Sequence, residues 1–103
     1  MKPIRIRYSD FFKHEPIKII IKDIKDGYIW NKKFIVFDAF FSFDNKIREF
    51  EVMFPYYPFI KAYWKLPVGI KLEAGTTNIQ MVITKLDRGK MKIQNVQKWK
   101  SKS

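Results

Sequence analysis

Between Phe34 and Phe43 the chain reads FIVFDAFFSF, and its alternate positions differ in kind. Ile35, Phe37, Ala39, Phe41 and Phe43 are all apolar, whereas Phe34, Val36, Asp38, Phe40 and Ser42 form a mixed set. A period of two is the signature of a strand, whose successive side chains point to opposite faces. The apolar set therefore faces a core and the mixed set faces outward. Phe34 and Phe40 are then outward rings, either free to stack on a ligand or covered by a neighbouring loop.

The same period recurs on both sides. IKIIIKDI, Ile17 to Ile24, sets Ile17, Ile19 and Ile21 against Lys18 and Lys22. Gly27 either makes a turn with Asp26 or kinks a longer strand that runs through Tyr28, Ile29 and Trp30 to a tip at Asn31-Lys32-Lys33. The second arrangement is preferred because it extends the strand pattern. After a turn at Asp44-Asn45-Lys46, REFEVMF places Phe50, Val52 and Phe54 inward and Glu49, Glu51 and Met53 outward. PYYPFIKAYWKLP, Pro55 to Pro67, is bracketed by prolines and suits a loop-like excursion with one short helical turn around Phe59 to Trp64. VGIKLEAG predicts a fourth strand with Val68, Ile70 and Leu72 inward, and TTNIQMVITKL a further one. Asp87-Arg88-Gly89 makes a turn before KMKIQNVQKW, where Met91, Ile93 and Val96 face the core. Three strands, an excursion and two strands, the last of them split, predict an all-β fold. Its form is a small five-stranded OB-like Greek-key barrel with a helical or irregular excursion between strands 3 and 4.

At 103 residues the chain fits one domain, 1–103. Residues 1–16 form an N-terminal extension or edge strand, and 101–103 a loose basic tail. No apolar run approaches the ~18 residues of a membrane span. The start, in which charges recur, has no secretory leader pattern, so a cytoplasmic location is expected. Without cysteine there is no disulfide framework, thiolate metal site or cysteine nucleophile. His14 is the only histidine, and the glycines are scattered at turn-like sites rather than gathered in a phosphate loop. Asp38, Glu49 and Glu51 fall on neighbouring predicted strands, where solvated or ion-paired roles fit better than a metal-holding cluster. The expectation is a protein that is not an enzyme and needs no cofactor or metal.

The net charge of +11 favours a polyanionic partner, although lysine and isoleucine richness also follows from an AT-rich genome or growth at high temperature. After Asp87 there is no acid, while Arg88, Lys90, Lys92, Lys98, Lys100 and Lys102 follow. Each of the three tryptophans adjoins cations: Trp30 beside Lys32 and Lys33, Trp64 between Lys61 and Lys65, Trp99 between Lys98 and Lys100. Single strands are held by this combination, with phosphates in a basic groove and bases on exposed rings. Glu49 and Glu51 oppose it on the outward side of the third strand.

The layout resembles single-stranded-DNA-binding proteins with an OB fold, of the filamentous-phage or archaeal replication type. The comparable features are Gly27, Asn31-Lys32-Lys33-Phe34, Pro55 to Pro67 with Tyr63, Gly69 and Asp87-Arg88-Gly89, within Ile17 to Lys100. The resemblance implies sequence-tolerant binding of single strands, DNA ahead of RNA. On it, Tyr28, Trp30, Lys32, Lys33 and Phe34 are the leading contacts. Phe40, Lys61, Trp64, Lys65, Arg88, Lys90, Lys92, Lys98 and Trp99 complete the candidate set. A homodimer or a replication-protein partner is a further expectation. Two alternatives stand beside this one: an architectural barrel for duplex DNA, and a non-catalytic accessory subunit of a replication or ribonucleoprotein complex.

Overall fold

The computed structural model describes residues 4–25, 34–43, 46–73 and 75–99. The elements are β1 (Ile4–Arg7), β2 (Pro16–Ile24), β3 (Phe34–Phe43), β4 (Lys46–Pro55), α1 (Tyr56–Trp64), β5 (Ile79–Lys85) and β6 (Met91–Lys98). All six strands belong to one sheet, in the order β1-β4-β3-β2-β5-β6. Its neighbours are antiparallel, apart from β1, which runs parallel to β4.

The alternation read in the sequence orders the core. Phe37, Ala39 and Phe41 of β3 are buried beside Ile19 and Ile21 of β2, Val52 and Phe54 of β4, and Ile79, Met81 and Ile83 of β5. On this face α1 lays down Phe59, Ile60, Ala62 and Tyr63. Phe59 stacks on Phe54 at 5.7 Å between ring centroids, and Phe37 meets Phe54 edge-on at 5.3 Å. Fully burying a side chain of this kind stabilises the fold by roughly 1.5–3 kcal/mol, and each well-placed ring pair adds about 0.5–1.5 kcal/mol.

Three expectations are corrected. The helix begins at Tyr56, a turn earlier than the short one expected, because Pro58 falls in its first turn, where the N–H it lacks has no helical partner. It stops after Trp64, as Pro67 disfavours helical backbone in the residue before it. Residues 68–73 are not a strand and pair with no neighbour in the sheet. Val68, Ile70 and Leu72 still pack against the core, and the Tyr63 hydroxyl, donating to Ile70 O, holds this segment over the helix. Finally, the sheet is not closed into a five-stranded barrel. The N-terminal segment supplies a sixth strand, β1, which pairs along β4, so that among the described residues β1 and β6 are the two edges of the sheet.

A side chain rather than a ladder ties these edges. Tyr8 follows β1 in a single 3-10 turn, Tyr8–Asp10, and its buried ring carries a hydroxyl that donates to Lys90 O, just before β6, at 2.8 Å. Burial pushes this phenol up to about 12, against a smaller opposing effect from the Leu86 backbone. Among the described residues, no helix is long and apolar enough to cross a membrane.

Candidate nucleic-acid interface

The outward face of the sheet carries alternate residues of β2, β3 and β4, and the carboxylates of β3 and β4 on it are each matched by a cation. Glu51 stands opposite Asp38 in the β3–β4 ladder. Its carboxylate accepts from Lys25 Nζ at 2.6 Å and Arg5 Nε at 2.6 Å. Asp38 Oδ1 lies 3.3 Å from the same Lys25 ammonium, an ion-pair distance at an angle outside hydrogen-bond geometry. Lys22 Nζ donates to Glu49 at 2.7 Å, and the ammonium also lies 5.8 Å from the centroid of the Phe40 ring. These contacts hold Glu51 below its ordinary value, chiefly through Lys25, and raise both lysines, chiefly through Glu49 for Lys22 and Glu51 for Lys25. Three carboxylates thus occupy three cations, and Phe40, half-buried beneath Lys22, is not an open stacking ring.

Cations gather without acids on the other side, where α1 meets the β5–β6 turn. A cleft of about 500 Å³ is lined by Tyr57, Lys61 and Lys65 from the helix side and by Arg88, Lys90 and Met91 from the turn side. No carboxylate is among its described lining residues, and among the described residues none lies within ion-pair distance of the four basic groups. The nearest acid in sequence, Asp87, faces away toward Lys13 Nζ at 3.7 Å and His14 Nε2 at 3.4 Å.

Local structure explains the convergence. With Phe59, Ile60, Ala62 and Tyr63 turned to the core, the 3.6-residue period leaves Tyr57, Lys61 and Trp64 on the solvent side. Lys65 caps the helix one turn beyond Lys61. Like charges at i and i+4 cost about 0.2–0.5 kcal/mol, an effect the negative end of the helix dipole partly offsets. Trp64 is 73% exposed but does not line this cleft; it borders a separate pocket with Ile60, Tyr63 and Leu66. Across the cleft from α1, Arg88 (φ 59°, ψ 36°) and Gly89 (φ 72°) take the left-handed pair of a type I′ turn. That conformation places an arginine where asparagine or glycine is usual.

The remaining candidates are dispersed. Lys92 alternates with buried Met91 and Ile93, so it emerges on the opposite face of β6, across from Thr84. Lys98 and Trp99 sit at the far end of β6, roughly 26 Å from the turn at 3.3 Å per residue, where Trp99 N–H donates to Asn78 O at 2.8 Å. Tyr28, Trp30, Lys32 and Lys33 lie outside the described residues. Phe34 pairs with Pro55 and lines a second cleft with Arg7, Tyr8, Met53 and Lys85, which borders the first at Gly89. Sequence reasoning missed Tyr57 and Arg7. Tyr57 stands four residues before Lys61, a helical spacing visible only if the helix starts at Tyr56.

No family model, curated protein or solved structure matches the chain. Among the described residues, no group of His, Cys, Asp or Glu is placed to hold a metal ion.

Proposed function

We propose that the chain binds single-stranded nucleic acid in a sequence-tolerant way, with phosphates in the α1/β5–β6 cleft and bases stacked on Trp64 and Tyr57. The observation that carries this reading is the convergence of Lys61, Lys65, Arg88 and Lys90 on one cleft whose described lining has no acid and includes the exposed Tyr57, with Trp64, 73% exposed, on the solvent side of the same helix. Unneutralised cations release counterions from phosphates, and exposed rings stack on bases of any identity.

The strand order adds support for an OB-like reading. Set β1 aside, and β4-β3-β2-β5-β6 remain, with the helix between the third and fourth of these five strands in sequence. The β5–β6 turn is then the connection between the fourth and fifth strands, one of the loops that bind oligonucleotides in OB folds. The paired carboxylates on β4 argue for a path along this turn and the helix rather than across the outward sheet face.

Anisotropy of labelled oligonucleotides over a salt series tests the proposal. Lys61→Ala and Lys65→Ala each weaken binding and reduce the salt slope by about 1, and Trp64→Ala loses ~1–3 kcal/mol of affinity with the fold intact. Wild-type affinity in all three variants overturns the site. Preference for duplex with bending turns the function to the architectural alternative. No binding to any nucleic acid at low salt leaves the accessory-subunit alternative.

A further inference from the structure

The second cleft has a different chemistry from the first. Its volume is about 580 Å³, within the ~300–1,000 Å³ typical of small-ligand clefts. Phe34, Met53, Pro55 and the Tyr8 ring supply apolar walls, while Arg7 and Lys85 bring cations to it. Lys85 Nζ is fixed, 5.6 Å from the centroid of the Tyr8 ring and 3.2 Å from Ser9 O. The Arg7 guanidinium has no ion-pair partner among the described residues; the Asp10 carboxylate nearby accepts from the Arg7 backbone N–H at 3.0 Å. Gly89 borders both clefts, so a strand whose phosphates lie among Lys61, Lys65, Arg88 and Lys90 passes the mouth of the second.

We infer that this second cleft receives one unstacked base of the bound strand and favours bases that carry a carbonyl at the O4 or O6 position, thymine, uracil or guanine, over those that carry an amino group there, cytosine or adenine. Apolar walls with the half-buried Phe34 ring suit a base and not a phosphate, which the neighbouring cleft serves better. The charged groups at the walls, guanidinium and ammonium, are donors only. They pair with O4 of thymine or with O6 and N7 of guanine, and they confront the amino groups of cytosine and adenine donor to donor. Binding is thus tolerant of sequence along the strand and selective at one position. The inference rests on the single-strand reading and adds to it a base-selective subsite.

Oligo(dT) and oligo(dC) of equal length form the sharpest comparison, since both are flexible pyrimidine strands that differ at the O4 or N4 edge. Wild-type protein is expected to bind oligo(dT) roughly tenfold more tightly, toward the lower end of what one good base contact discriminates. Arg7→Ala removes the donor, and Ser9→Trp, at an exposed position on the cleft, fills the space. Both bring the ratio toward one while binding persists. Lys65→Ala weakens both oligonucleotides and leaves their ratio unchanged. Equal wild-type affinities, or a ratio preserved in both Arg7→Ala and Ser9→Trp, overturn the base subsite and leave single-strand binding standing. Failure to bind either oligonucleotide overturns both.

Discussion

Arg88 joins a strained turn of the fold to the proposed site in one side chain. Its left-handed backbone costs a residue with a Cβ roughly 1–2 kcal/mol, and asparagine tolerates that conformation better. Arg88→Asn is therefore expected to raise stability by up to ~1 kcal/mol while weakening oligonucleotide binding, with denaturant unfolding and anisotropy measured on the same preparation. A loss in both would make Arg88 a structural residue. At this scale the sequence was only partly legible. The flanking of Trp64 by Lys61 and Lys65 was visible, and the helix does expose that tryptophan. Phe40 read as an outward ring, and so it is, but the Lys22 that covers it lies on the neighbouring strand and could be assigned only from the register.

The strands follow from their period. In β2, β3 and β4 the inward residues are those that alternation selects, because a strand that buries one face cannot slip by one residue without exposing all of them. Two residues depart from this: Val36 belongs to the outward set yet is buried, and the bulge between Ile21 and Asp23 turns Ile24 into the core. Residues 68–73 show that alternation alone does not make a strand. Alternation places Val68, Ile70 and Leu72 against the core, but a strand also needs a partner, and here hydrogen bonds between Glu73 and Thr76 and the Tyr63 hydroxyl hold an irregular segment instead. The Tyr8 hydroxyl makes the corresponding bond between the sheet edges. Because burial raises this phenol to about 12, the unfolded chain ionises first, near 10. Its contribution is complete below pH 10 and is lost as the pH rises toward 12. Tyr8→Phe should cost about 1 kcal/mol at neutral pH and flatten the alkaline limb of stability against pH. An unchanged alkaline limb in this variant would show that another group controls it.

Over the whole molecule, the +11 charge matters less than its distribution. Asp38, Glu49 and Glu51 are matched by Arg5, Lys22 and Lys25 on the outward sheet face, while Lys61, Lys65, Arg88 and Lys90 around the helix and turn have no acidic partner among the described residues. Glu51 carries an acid-side consequence. Its folded pKa is depressed below the ordinary value of 4.5, so its stabilisation is present above that value and lost as the pH falls through the lower folded one. Urea unfolding across that range should show a shallower acid limb for Glu51→Gln than for the wild type; parallel limbs would mean the pair contributes nothing measurable. By itself the sequence determined the β-rich class, the inward faces of β2, β3 and β4, and the surplus of cations, because alternation and composition are local properties. The sixth strand, the open sheet, the pairing of the acids and the meeting of Lys61 with Arg88 were decided only by tertiary structure. Each depends on which distant segment becomes a neighbour, and strand pairing and helix docking set that over separations no local pattern records.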